Sequence, residues 1–212
     1  DPYSLTDMDR ACKRIALAKA EQEHVRIIGD YDVDGIAATA IMIRGLKRYG
    51  IENASFALPD RLEDGYGLNK TLLSRAQEDG VSLIITVDNG IMAHDSADFA
   101  ADQNLDLIIT DHHSLDATLP KAHAVLNPKR DASDAALANI CGAAVAFQLC
   151  SALNEGPDDL ALVALATIAD VMPLIGENRA LTHLGLQEIQ NGLQPGIQAL
   201  LQKANIQQRQ VR

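Results

Sequence analysis

Two hydrophobic regimes alternate along this chain. Short, near-continuous runs of β-branched and aliphatic residues, "VRIIG" at 25–29, "VSLIITV" at 81–87 and "LDLIIT" at 105–110, read as strands covered on both faces, where the two-residue alternation disappears. "NASFALPD", ended by Pro59, and "HAVLNPKR", ended by Pro128, add two shorter strands. Between the strands apolar residues recur at helical spacing over 36–49, 68–78 and 93–103, and an N-terminal amphipathic helix is predicted from Met8, Cys12, Ile15 and Leu17 with Thr6 as N-cap. From Cys141 the period is helical throughout: 141–153, 159–169, 179–191 and 197–203. The order βαβαβαβ followed by helices predicts an α/β fold: a mostly parallel sheet flanked by helices on both faces, with a helical C-terminal part.

Composition supports this class. Of 212 residues 47% are hydrophobic but only 3% aromatic, with no Trp, so Ala, Leu, Ile and Val must fill one sizeable core and an all-β sandwich is disfavoured. A formal charge of −11 argues against a broad basic surface that grips nucleic acid unaided; any such contact must be local. The three cysteines, Cys12, Cys141 and Cys150, have no C-x-x-C spacing, which points to reduced thiols, core packing and a cytoplasmic protein. No apolar run approaches the length of a membrane span and no signal-peptide pattern opens the chain. The chain begins at Asp1 without a Met, as an excised fragment would.

The segment "GDYDVDGIAATA", Gly29 to Ala40, opens like a calcium-binding EF-hand loop, but its twelfth position, counted from Asp30, is Ile41 where a bidentate Glu is required. These aspartates instead occupy a strand-to-helix turn, and two further strands end the same way: Asp88 in "VDNG", and Asp111, His112 and His113 in "TDHH". Parallel strands share one carboxyl edge, the edge where open α/β sheets bind ligands. Asp30, Asp32, Asp34, Asp88 and Asp111 would then converge, and so many carboxylates cannot stay ionised in a cleft without cations. Oxygen-rich ligation with an imidazole or two suits two Mn²⁺ or Mg²⁺ ions, and such pairs, about 3.5–4 Å apart, serve phosphoester cleavage. Each piece also has a plainer role, "VDNG" as a turn and the His pair as surface or core filler. Asp170, ending the apolar helix "LALVALATIAD", opposes the helix dipole and so favours a nearby cation.

Taken together in order, "GDYDVDG", "PDRLEDGYGL", "TVDNGI", "TDHH", "LNPKR", "CGAAVAFQL", "ATIADVMPL" and "ENR" resemble the DHH phosphoesterases, and within them the RecJ-type single-strand-specific exonucleases. The resemblance implies that Asp32 and Asp34, with Asp30 adjoining, hold two divalent ions, that Asp88 bridges them, and that His112 and Asp170 complete the shell. It places His113 against the scissile phosphate as donor or acid to the leaving oxygen, with Asp111 orienting the imidazoles; a packed histidine at 113 and a turn or N-cap role for Asp30 are the plainer alternatives. Gly142 holds a phosphate on a helix N-terminus or is small for close packing. Arg61, Lys129, Arg130 and Arg179 line a substrate path or are solvated surface groups, and Tyr66 stacks on a base.

The implied function is metal-dependent hydrolysis of single-stranded DNA in repair and recombination, 5′ to 3′, with replication or repair proteins as further partners. Hydrolysis of small nucleotides or pyrophosphate is the alternative inside the superfamily, disfavoured because Ile28 stands where those relatives carry a His; a non-catalytic replication scaffold is the other. Residues 1–191 would form the catalytic domain and 192–212 a connecting helix or linker toward a missing C-terminal domain, since RecJ-type enzymes add a DHH-associated domain and usually an OB-fold.

Overall fold

The computed structural model describes residues 1–59, 67–130, 137–154, 159–192 and 194–211. In chain order the elements are α1 (Met8–Ala20), β1 (His24–Ile28), α2 (Val33–Tyr49), β2 (Ala54–Ala57), α3 (Lys70–Glu78), β3 (Val81–Val87), α4 (His94–Asp102), β4 (Asp106–Thr110), β5 (Ala124–Leu126), α5 (Gly142–Leu153), α6 (Leu160–Ala169), α7 (Gly176–Asn191) and α8 (Pro195–Lys203). The strands form one sheet in the order β2-β1-β3-β4-β5, and every neighbouring pair is parallel. The chain leaves β1 toward β2 on one side and places β3 on the other, so the topological switch point lies between β1 and β3.

Both faces of the sheet are covered, which explains the unbroken apolar runs. Val25, Ile27, Leu83, Ile85 and Ile108 pack in one cluster with Met8 and Ile15 of α1, Met42 and Leu46 of α2, and Val145 and Leu149 of α5. The intervening strand residues Ile28, Ile84, Leu107 and Ile109 face Leu72, Leu73 and Ala76 of α3 and Ala97 and Ala100 of α4. Helix α5 lies so close to α2 that a Cβ at Gly45 would collide with Cys150, a free, fully buried thiol pushed up to about 12 by burial. Helix α8 packs back through Ile197 onto Ala161 and Ile189.

Two local expectations are corrected. Leu17 is 49% exposed, because Ala11 and Ala18 take the inward positions of α1 beside Ile15; a step from Ile15 to Leu17 is not a helical repeat. Asp7, not Thr6, is the residue before the first helical turn. As the sequence order has it, the β-α alternation ends at β4: residues 111–123, with Pro120 and little apolar spacing, reach β5 without a helix. No helix among the described residues is long and apolar enough to cross a membrane.

Candidate metal centre at the carboxyl edge

Strand register sets the centre. Ile28 of β1 pairs with Thr86 of β3, and Thr86 with Ile109 of β4. Two residues beyond this common rung lie Asp30, Asp88 and Asp111, all buried. Three acids separated widely in sequence thus occupy one row across the switch point.

Asp32 adds the fourth position of the turn. It is the N-cap of α2, its Oδ1 accepting the Gly35 N–H at 2.9 Å, so the helix begins at Val33 rather than 36 and Asp34 falls in its first turn. Gly35 is required there because a Cβ would come within 2.5 Å of Asp30, which gives the D-x-D-x-D-G run a packing reason unrelated to calcium. Asp30 Oδ1 accepts its neighbour Tyr31 N–H at 2.7 Å.

Asp34 reaches across to α5. Its Oδ2 accepts the Gly142 N–H and its Oδ1 the Ala143 N–H, both at 2.7 Å, and α5 has no capping side chain of its own at Cys141. The Gly142 N–H is therefore not free for a phosphate. A Cβ on Gly142 would come within 2.5 Å of Asp88 Oδ1, so close packing is why the residue is small.

The two histidines are held differently. Asp111 accepts four N–H groups: those of the His112 backbone at 2.7 Å, the His113 backbone at 3.0 Å and the His113 ring Nδ1 at 2.7 Å on Oδ1, and that of Ile91 at 2.9 Å on Oδ2. Burial pushes its carboxyl up, but the bonds from His113 and Ile91 bring it below the ordinary value, so Asp111 stays ionised and fixes the His113 tautomer. The same hydrogen bond raises His113 to about 9. His112 points inward: its Nε2 lies 3.2 Å from Asp88 Oδ1, 3.6 Å from Asp34 Oδ2 and 3.7 Å from Asp170 Oδ2. Burial lowers the His112 pKa, outweighing Asp34, which leaves the imidazole neutral as a ligand must be.

Asp88 carries a buried oxygen that the described residues leave unsatisfied. Its backbone is left-handed at φ 63, and among the described residues buried Oδ1 has no hydrogen-bond partner despite its approach to His112. Burial first, then the charges of Asp34 and Asp32, push its carboxyl up to about 10. A buried unpartnered oxygen costs about 1–3 kcal/mol, more when charged, and the backbone adds strain; a cation removes the first penalty. Among the described residues, three sets of donors come within 4.8 Å of one another: Asp30, Asp32 and Asp88; Asp34, His112 and Asp170; Asp88, His112 and His113. The donor set thus fits two divalent ions, with Asp88 and His112 each common to two of the three groups. Asp170 enters from the C-cap of α6, where Val171, at φ 54, closes the helix end by donating to Ile168 while Met172 donates to Thr167.

All eight sequence-predicted members of the cage, Asp30, Asp32, Asp34, Asp88, Asp111, His112, His113 and Asp170, are brought together. Of the substrate-path residues, the described ones have other surroundings. Arg130 turns onto Asp7, at 2.9 Å, and onto the Val125 carbonyl. Arg179 lines a separate groove on α7 with Thr182 and His183, and Lys129 is exposed in the turn after β5. Arg61 and Tyr66 lie outside the described residues.

Three buried asparagines were missed, though each sits inside a quoted motif. In "VDNG", Asn89 donates to the Ile28 and Val87 carbonyls and accepts from Leu68 N–H, tying β1, β3 and the segment before α3 together. In "LNPKR", Asn127 donates to the His113 carbonyl at 3.0 Å. In "ENR", Asn178 donates to the Asn139 and Pro173 carbonyls, steadying the segment after Asp170. Their only advance signal is a polar residue that can cross-link backbone carbonyls at the end of an apolar run.

The chain is 40% identical over 203 residues to a protein named single-stranded-DNA-specific exonuclease RecJ from Bacillus subtilis, covering 95% of this chain and 26% of the relative. It is 36% identical over 219 residues to the protein of the same name from Escherichia coli, covering 95% and 38%. Among solved structures, exonuclease RecJ bound to manganese matches with a TM-score of 0.87 and 33% identity, covering 96% of this chain and 53% of that one. RecJ in complex with Mn²⁺ from Thermus thermophilus matches at 0.80 and 31%, covering 96% and 30%. The chain therefore spans well under half the length of the sequence relatives it matches. A model described as "DHH family, N-terminal domain" matches residues 24–172, a span holding every member of the cage, and the chain belongs to the DHH family.

Proposed function

We propose that this domain hydrolyses phosphodiester bonds of single-stranded DNA, using two divalent cations, Mn²⁺ or Mg²⁺. The observation that carries this reading is the buried, unpartnered oxygen of Asp88 within a ring of acids and one neutral imidazole. Bound there, the cations supply a lowered water pKa and neutralise charge on the phosphate. Asp30 and Asp32 would hold one; Asp34, His112 and Asp170 the other; Asp88 both.

The chain's own groups supply the remaining chemistry. Gly142 and Ala143 fix Asp34 from the N-terminus of α5, so the carboxylate needs no reorientation. Asp111 holds the His113 Nδ1–H, leaving the other nitrogen of a ring whose side chain is 44% exposed to meet substrate. His113 is thereby placed to donate a hydrogen bond, and then a proton, to the leaving sugar oxygen. A 5′ to 3′ direction is what the family resemblance implies, and replication or repair proteins are the partners we infer. The three free thiols, with the burial of Cys141 and Cys150, support a cytoplasmic setting.

The test is Mn²⁺-dependent release of mononucleotides from a labelled single strand, run beside pyrophosphate and a bis-nucleotide, with Asp88→Ala as control. Release from the strand that Asp88→Ala abolishes is expected. Preference for pyrophosphate would transfer the site to the small-nucleotide branch, and no release from any substrate would favour a scaffold.

A further inference from the structure

His113 belongs to the ligand cage and also to the wall of a neighbouring cavity of about 390 Å³, lined by Leu68, Gly90, Ile91, Met92 and Ala93. Among the described residues, its other polar side chains are Asn89 and Asp111, and both are already engaged by backbone of the wall or of the adjoining strands. The room is thus apolar in what it offers a ligand. Its size is that of a small-molecule site. Met92, 58% exposed, presents an unbranched thioether at its edge, a side chain suited to aromatic rings of varied shape.

A phosphate belongs with the cations, whereas among the described residues the cavity adds to His113 and Asp111 only the engaged Asn89 and apolar groups. We propose that it is the subsite for the nucleoside attached to the scissile phosphate on the leaving side, its base lying against Met92 and Ile91. The inference rests on the phosphodiesterase reading above and deepens it. With Asn89 and Asp111 engaged and the second His113 nitrogen assigned to the leaving oxygen, the described wall offers a base apolar contact, so the subsite accepts any base.

Methionine methyl NMR tests it without turnover. The chain has four methionines, of which Met8 and Met42 are fully buried references. In saturating Mg²⁺, millimolar dTMP or dGMP should move the Met92 methyl resonance saturably, while 2-deoxyribose 5-phosphate, which lacks the base, should not. A Met92 signal that stays still with dTMP, or moves equally with the sugar phosphate, overturns the proposal. In turnover, Met92→Trp should lower kcat/KM on a normal strand about tenfold yet change the rate on a strand with an abasic terminal nucleotide less than about threefold. Equal loss on both strands also overturns it. A responsive Met92 in a protein that cleaves no strand would reject the hydrolysis and keep the subsite.

Discussion

Asp34 and Gly142 stand 108 residues apart in sequence, yet the Asp34 carboxylate takes the Gly142 N–H at 2.7 Å, making an acid of the cage the N-terminal cap of α5. The contact joins folding to chemistry, because the same side chain stabilises a core helix and lies within reach of His112 and Asp170. Asp34→Ala should therefore lower stability in the metal-free protein by about 1–2 kcal/mol, as the loss of a helix cap does, besides abolishing activity. Urea unfolding in EDTA measures this directly; an unchanged midpoint would show that α5 does not depend on Asp34.

Gly142→Ala probes the other side of the contact. The added methyl meets Asp88 at its Cβ and Cγ as well as Oδ1, so no far end of a flexible chain can yield. Mn²⁺ affinity should fall about 10- to 100-fold, the usual effect of disturbing groups that orient metal ligands, while the protein remains folded. Calorimetric titration of wild type and variant checks it.

In the metal-free protein Asp88 has a folded pKa far above its ordinary value, raised to about 10 chiefly by burial. The folded state then binds a proton the unfolded state has lost, so this group's contribution to stability falls as pH rises from 3.8 toward about 10. Asp88→Asn should remove that slope and raise the melting temperature of the metal-free protein at neutral pH, while eliminating hydrolysis. Thermal unfolding in EDTA across this pH range gives the comparison.

Asp7 titrates in the opposite sense. Burial raises its carboxyl, but the Arg130 guanidinium and the Val125 N–H outweigh it and hold the pKa below 3.8. Its stabilisation is present above the unfolded value and is lost as pH falls through the folded one. Arg130→Met should cost about 2 kcal/mol at neutral pH and progressively less in acid, with cleavage per folded molecule unchanged. Denaturant midpoints at a series of pH values, paired with activity, separate this anchoring role from a substrate contact.

The contrast between Asp88 and Arg130 explains what is legible in the sequence. Asp88 closes an apolar run, and so do Asp30 and Asp111; once the strands are parallel their convergence follows from local pattern alone. The binding partner of Arg130 is 123 residues away, and nothing near position 130 announces it. Gly142 left two readings open because a glycine before a helix serves an anion and a tight contact equally well; the position of Asp88 decides between them. Asn89, Asn127 and Asn178 work by bonding carbonyls of other segments, which only the folded chain brings within reach.

Ion counting by calorimetry or by electron paramagnetic resonance with Mn²⁺ tests the sharing of Asp88 most directly. Two ions per wild-type chain are expected, with Asp30→Ala losing the tight binding of one and Asp88→Ala weakening both. A single ion in the wild type, or two ions held undiminished by Asp88→Ala, would contradict it.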